Sequence, residues 1–170
     1  AEVPYKAGVL LEEEMKKGRV SKDAKNYRIL SQAWSLAMED EKAIPALKEA
    51  ARLSDEGELD LRLGNAYLNV GQYSDCVTSI QSGIRKGGIK SPDNAQISLG
   101  MCLYNLKRYQ DSIAAFREAG KASRSSRVAN QWISVIESDI ERNEQIRLAE
   151  AAARKQQEAL SKRKRAVERI

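Results

Sequence analysis

The stretch LGNAYLNVGQYSDCVTSIQSG, residues 63–83, carries the pattern that decides the fold. Small residues lie at Gly64, Cys76 and Gly83, and the large apolar Ile80 follows Cys76 by four positions. Two other stretches repeat these marks with the same spacing: Ser31, Ala43, Leu47 and Ala50, and Gly100, Ser112, Phe116 and Ala119. The first small residues of the three stretches are separated by 33 and 36 positions. The chain therefore contains an internal repeat.

The repeat predicts pairs of antiparallel helices that stack on one another. Small residues let two helix backbones approach closely, and the large apolar residue fills the gap between neighbouring pairs. A single pair cannot cover its own apolar face, so several must stack. The pattern resembles the tetratricopeptide repeat. The fold class we expect is all-α, a tetratricopeptide-repeat right-handed superhelix with a C-terminal capping helix.

The same register predicts the organisation of the chain. We expect residues 1–20 to be the second helix of a truncated repeat, whose first helix is missing. Three repeats would then occupy 21–57, 58–90 and 91–124, followed by a capping helix at 125–146 and a basic helical or disordered tail at 147–170. From this arrangement we expect the chain to be the C-terminal piece of a longer array.

Composition argues against several classes of function. The chain has no His, which excludes His-based catalytic triads and His metal sites. Its two Cys cannot form a structural zinc site alone. No Gly-rich phosphate loop or nucleophile motif occurs. We therefore expect a protein that is not an enzyme, with no cofactor, no metal and no small-molecule substrate.

Cys76 and Cys102 lie in neighbouring predicted helices. We expect two buried free thiols, and a disulfide in an oxidising compartment is the alternative.

The first helix of each repeat should line a concave groove. Its residues combine amides that can bond an extended peptide backbone with apolar side chains that can contact a ligand. In the first repeat these are Lys25, Arg28, Gln32 and Ser35; in the second Leu61, Asn65, Leu68 and Asn69; in the third Asn94, Ile97, Met101, Tyr104 and Asn105. Only Lys25 and Arg28 match the cationic clamp by which chaperone-binding tetratricopeptide domains hold a terminal carboxylate, so we do not expect that mode of recognition. Each of these positions is alternatively a solvated helix surface.

The basic charge is concentrated in the tail. Residues 147–170 contain eight Lys or Arg against three Glu, which equals the whole net charge of +5. We interpret the run 162–165, Lys-Arg-Lys-Arg, as a solubilising, disordered end. The alternatives are weak contact with anionic lipid at a membrane surface and nonspecific nucleic-acid binding. We expect no nucleic-acid partner, because no aromatic residue follows Trp132 to stack on bases.

Three blocks resemble a more specific family. They are LSQAW at 30–34, the stretch from Glu39 to Leu63 that contains DEKAIPAL and LSDEGELDLRL, and the stretch from QWI at 131–133 to Ile146. They are similar to the tetratricopeptide proteins found with the TonB–ExbB–ExbD systems of marine gamma-proteobacteria such as vibrios (the TtpC type). The resemblance spans residues 3–146 and leaves the basic tail outside it.

The resemblance implies a noncatalytic protein–protein scaffold of a TonB-dependent energy-transduction system that supports iron–siderophore uptake. It also implies a periplasmic location, associated with the inner membrane in the full-length protein, and a partner among the periplasmic segments of TonB, ExbB or ExbD. The alternatives are a periplasmic adaptor for outer-membrane or envelope assembly and a generic peptide-binding adaptor.

Overall fold

A computed structural model describes residues 2–167, and within this range α-helix is the only regular secondary structure. Eight helices follow one another with short connections, as expected for the all-α class. Their bounds are α1 Glu2–Lys16, α2 Ala24–Leu36, α3 Asp40–Arg52, α4 Gly57–Asn69, α5 Tyr73–Lys86, α6 Pro92–Asn105, α7 Tyr109–Gly120 and α8 Ser123–Val167.

The small residues of the repeat mark the places where paired helices touch. Helix α2 packs against α3, α4 against α5, and α6 against α7. A methyl group added at Gly100 would lie 2.7 Å from a ring carbon of Phe116, and one at Gly64 would collide with Ile80. The Ser112 hydroxyl donates a hydrogen bond of 2.7 Å to the Gly100 carbonyl, which only a close approach of α6 and α7 permits. The predicted role of these positions is confirmed.

The core runs through the stack and is thickest in its middle, where buried side chains of α3, α4, α5 and α6 form one cluster. At the N-terminal end, Trp34 of α2 is 2% exposed and lies against Gly8 of α1, with the edge of the Tyr5 ring 5.5 Å away between centroids. At the other end, Phe116 of α7 is fully buried and stacks on Trp132 of α8. Helices α1 and α8 thus close the two ends of the described stack.

Cys76 and Cys102 form a disulfide, with their Cα atoms 6.3 Å apart. Our expectation of two free thiols is therefore wrong. The bond joins α5 to α6, which belong to successive repeats. Both residues are fully buried at the small-residue contact between the helices, where Cys76 takes the place that Ala43 and Ser112 hold in the other two repeats. Close backbone approach is what brings the two sulfur atoms within bonding range.

Helix α8 does not end near Ile146 but continues to Val167 as one helix of 45 residues. The tail was expected to be helical or disordered, and in this structure residues 147–167 are helical. The sequence after Gly120 contains neither Gly nor Pro and is rich in Ala, Arg, Gln, Lys and Glu, which all favour the helix. Every residue from 141 to 167 is exposed, as expected for a solvated extension. The last three residues of the predicted tail lie outside the described part.

An ion pair between the buried Asp93 and the exposed Arg124 ties the start of α6 to the start of α8. The Asp93 carboxylate accepts a hydrogen bond of 2.6 Å from Nε of Arg124, a second from the Nη2 group of the same side chain, and one of 2.6 Å from the Ser125 hydroxyl. These bonds to Arg124 and then to Ser125 hold the pKa of Asp93 well below its usual value. The charged form of Asp93 therefore stabilises the packing of the capping helix.

This pair makes the stability of the fold depend on pH. Because the pKa of Asp93 is lower in the folded than in the unfolded chain, its contribution is present above the unfolded pKa of about 4 and is lost as the pH falls through the folded value. We expect Asp93→Asn to be less stable than the parent chain at pH 7 and the difference to shrink below pH 4. Urea unfolding at pH 7 and below pH 4 measures this difference in the free energy of unfolding. The matched control is Asp111→Asn, which removes an exposed ion pair with Arg108 and should change little. A difference for Asp93→Asn that stays constant with pH would contradict this role.

Candidate partner-binding groove

Two adjoining depressions lie along one face of the stack. The first, of about 730 Å³, lies between α2 and α4 and is bordered by Asp40 at the start of α3. The second, of about 200 Å³, lies between α4 and α6. Arg62 and Asn65 of α4 line both, so the depressions meet at this helix. Together they form a groove that crosses the first helix of each repeat, and we call it the central groove.

The helical period explains why α4 presents a polar surface here. Arg62, Asn65 and Asn69 are spaced by three and four residues and therefore share one face of the helix. All three are exposed. Leu59, Leu63 and Tyr67 occupy the other side of α4 and are buried in the core cluster. Burial of the apolar face fixes the helix rotation and leaves the polar face turned into the groove.

The lining of the central groove mixes polar, charged and apolar side chains. The first depression is lined by Ser31, Gln32, Ser35, Leu36, Asp40, Leu47, Arg62, Asn65, Ala66 and Asn69. The second is lined by Glu58, Leu61, Arg62, Asn65, Ile80, Ser91, Asn94, Ala95 and Ser98. Uncharged polar side chains are the largest group among them. Carboxamides offer both donors and acceptors, which is what an unpaired peptide backbone requires. Arg62 adds a fork of donors, and no acidic side chain within residues 2–167 forms an ion pair with it.

Six of the thirteen residues predicted for the groove line it in the structure. They are Gln32, Ser35, Leu61, Asn65, Asn69 and Asn94. Leu61 is only 8% exposed, so it forms the floor of the groove and cannot reach far into it. Leu68 is half-buried and packs on the core cluster. Lys25 and Arg28 are exposed on α2 but line neither depression.

The third repeat departs from the prediction. Ile97, Met101 and Tyr104 are partly buried against the cluster that joins α7 to α8. The Tyr104 hydroxyl donates a hydrogen bond of 2.6 Å to Asp139 of α8. Helix α8 occupies the position that the first helix of a fourth repeat would take, so these side chains form a packing interface and do not line the open groove. Asn105 is exposed, and its amide donates to the Met101 carbonyl of its own helix.

Arg62 is one of several groove residues that the sequence analysis missed. Its signal was present, because Arg62 precedes Asn65 by three residues and Asn69 by seven. Ser98 and Glu58 were missed in the same way. The prediction used only the repeat positions that usually face a ligand. In the structure, residues three or four positions away on the same helix face also line the groove.

Within residues 2–167, no group of three or more His, Cys, Asp or Glu side chains is placed to hold a metal ion. Across the same range, no helix is both long enough and apolar enough to cross a membrane.

Comparison with solved structures identifies the architecture. The chain superposes on MamA with a TM-score of 0.67 at 16% sequence identity, covering 78% of this chain and 76% of MamA. It superposes on YrrB, a tetratricopeptide-repeat protein with an unusual peptide-binding site, with a TM-score of 0.65 at 17% identity, covering 81% of this chain and 76% of YrrB.

The chain has the tetratricopeptide-repeat fold. A further match is the TPR2B domain of yeast Sti1 in its complex with pHsp70, with a TM-score of 0.60 at 13% identity, covering 70% of this chain and 99% of that domain. No family model matches the sequence, and no curated protein does. The similarity to these structures therefore establishes the tetratricopeptide-repeat fold of this chain.

Proposed function

We propose that this chain is a noncatalytic scaffold that holds an extended segment of a partner protein in its central groove. The observation that carries the proposal is the meeting of two depressions, lined by both polar and apolar side chains, at Arg62 and Asn65 on the face formed by the first helices of the repeats. Backbone groups of an extended peptide would bond to the amides, and its side chains would contact Leu36 and Leu61. Of the similar structures, YrrB is described with a peptide-binding site and the Sti1 domain in a complex with pHsp70.

We further propose that the partner belongs to a TonB–ExbB–ExbD system and that the scaffold supports iron–siderophore uptake. The support is the resemblance of residues 3–146 to the tetratricopeptide proteins that accompany such systems. The disulfide between Cys76 and Cys102 supports a periplasmic location, because such bonds form and persist in oxidising compartments. In this proposal the partner is a periplasmic segment of TonB, ExbB or ExbD.

Removing two groove amides should weaken binding without unfolding the chain. We expect Asn65→Ala combined with Asn69→Ala to raise the Kd for the partner segment about 30-fold, because each lost hydrogen bond is worth about 1 kcal/mol. Both side chains are exposed, so the free energy of unfolding should change by no more than about 0.5 kcal/mol. Titration calorimetry with the periplasmic segments of ExbD, TonB and ExbB measures the Kd, and urea unfolding measures stability.

The matched control replaces two amides outside the groove. Gln81 of α5 and Gln110 of α7 are exposed on the second helices of their repeats, so Gln81→Ala with Gln110→Ala should leave the Kd unchanged. Equal weakening by both double variants would exclude the groove as the binding surface. Binding to none of the three segments, together with specific binding of an outer-membrane assembly protein, would exclude the TonB system and favour an envelope-assembly adaptor.

A further inference from the structure

The end of α8, residues 151–167, carries a dense positive charge that no ion pair in the described chain neutralises. This segment contains six basic side chains and one acidic side chain, which gives it a net charge of +5. The basic side chains are Arg154, Lys155, Lys162, Arg163, Lys164 and Arg165. None of them forms an ion pair within residues 2–167, and every residue of the segment is exposed. We call residues 151–167 the basic tip.

Helical geometry spreads the charge of the basic tip around the helix axis. Successive residues of an α-helix are turned by about 100°, so the four basic residues at 162–165 point to all sides. A flat surface that meets the helix on any side therefore meets at least one of these cations. The long side chains next to it can bend toward the same surface, because their stems are flexible. Recognition by the basic tip therefore depends on the amount of charge and not on one face of the helix.

The part of α8 that precedes the basic tip has the opposite charge. Residues 137–150 contain five acidic and two basic side chains. Both arginines are paired with carboxylates of the same segment, so that three glutamates have no ion pair within residues 2–167. An anionic surface attracts the basic tip and repels the segment before it. At 1.5 Å per residue, Glu137 lies about 25 Å along the helix from Arg154, so an upright α8 keeps the domain away from such a surface.

Phospholipid headgroups and nucleic acids both carry the phosphate charge that attracts such a helix. The disulfide between Cys76 and Cys102 favours lipid, because such bonds persist in oxidising compartments and are rare in the cytosol and nucleus, where nucleic acids are concentrated. In addition, no aromatic residue follows Trp132 in the sequence, so the basic tip offers no platform on which bases can stack. The charge and the disulfide together fit an anionic bilayer.

We propose that the basic tip binds the surface of a phospholipid bilayer that contains anionic headgroups, and that the acidic segment of α8 holds the domain away from it. The cations of residues 154–165 contact lipid phosphates, and residues 137–150 stay in water. This contact leaves the central groove free for a partner protein. Binding to the bilayer does not involve the groove, so its test is independent of partner binding there.

Flotation of the full chain with lipid vesicles measures this binding. We expect the parent chain to bind vesicles of phosphatidylcholine with about 30 mol% phosphatidylglycerol, and not vesicles of phosphatidylcholine alone. Binding should disappear at about 500 mM salt, because the Debye length is then only about 4 Å. The fourfold variant Lys162→Gln, Arg163→Gln, Lys164→Gln and Arg165→Gln should bind at least about 100-fold more weakly, since each cation near an anionic bilayer contributes about fivefold.

The matched control removes the same charge from the domain. It replaces four exposed residues that form no ion pair within the described range, by Lys48→Gln, Arg85→Gln, Lys90→Gln and Arg117→Gln. We expect this variant to change vesicle affinity less than about threefold, because the domain lies beyond the Debye length from the bilayer. No binding of the parent chain to the anionic vesicles, or equal weakening by the two fourfold variants, would overturn the proposal.

Orientation is tested with a fluorescent maleimide at Ala159→Cys in the basic tip or, in a separate chain, at Gln145→Cys in the acidic segment. The native cysteines are bonded to each other and do not react. Spin-labelled headgroups should quench the label at 159 and leave the label at 145 unchanged. Equal quenching at both positions would contradict the upright orientation. Tighter binding of duplex DNA than of the anionic vesicles at the same salt concentration would assign the basic tip to nucleic acid and overturn the proposal.

Discussion

Replacing Phe116 with alanine lowers the free energy of unfolding by about 4 kcal/mol. Phe116 is fully buried, and its ring stacks on Trp132 with centroids 5.4 Å apart and planes 5° from parallel. It also covers Gly100, so the truncation empties the space at which α6, α7 and α8 meet. The cavity cannot collapse easily, because the backbones around it are already in close contact. Urea unfolding followed by circular dichroism measures the loss.

The fluorescence of Trp132 gives a second readout of the same change. Loss of the stacked ring should expose Trp132 and shift its emission to the red before the chain unfolds globally. The control is Arg117→Ala, the next residue on α7, which is exposed and should change stability by no more than about 0.5 kcal/mol. A loss below about 1 kcal/mol for Phe116→Ala would show that the last repeat does not depend on this contact.

Replacing both Cys76 and Cys102 with alanine lowers the free energy of unfolding by about 3 kcal/mol. The disulfide closes a loop between residues separated by 26 positions, so its removal restores conformational freedom to the unfolded chain. Because the bond joins α5 to α6, we expect the interface between the second and third repeats to open first. Hydrogen exchange should show faster exchange in α6 and α7 than in α2 and α3.

Reductant provides the control for this variant. The reduced parent chain should lose about the same stability as the double alanine variant, and reductant should not affect the variant. Thiol titration of the unfolded parent, isolated from an oxidising compartment, should find no free thiol. Two titratable thiols, or equal stability of the oxidised parent and the variant, would contradict the disulfide and remove its support for a periplasmic location.

The fold was predictable because its packing depends on residue size at fixed spacing. Gly64 and Gly100 are small for a reason that sequence alone reveals, since a large residue follows sixteen positions later in each repeat and needs that space. The exposure of Asn65 and Asn69 on α4 was also predictable, because the positions of the buried apolar residues fix the rotation of that helix.

Three features were not predicted: the disulfide, the packing of the third repeat against α8, and the length of α8. They depend on distances between helices or on segments that bury no apolar surface. The disulfide requires a separation of Cα atoms that a sequence does not contain. Whether Ile97, Met101 and Tyr104 face the groove or are covered depends on where α8 packs. Their apolar side chains suit a ligand groove and a helix interface equally well. The continuation of α8 to Val167 depends on local helix preference alone, because the residues after 140 bury nothing within the described chain.

The central claim is that partner proteins bind in the groove that crosses α4. Photocrosslinking in the native envelope tests it most directly, with benzoylphenylalanine at Asn65 in the groove and, in a separate variant, at Gln81 on α5 outside it. The full-length protein carries each substitution, and crosslinked partners are identified by mass spectrometry. We expect a crosslink to a component of the TonB–ExbB–ExbD system from position 65 and none from position 81. Crosslinks of equal yield from both positions, or from position 81 alone, would contradict it.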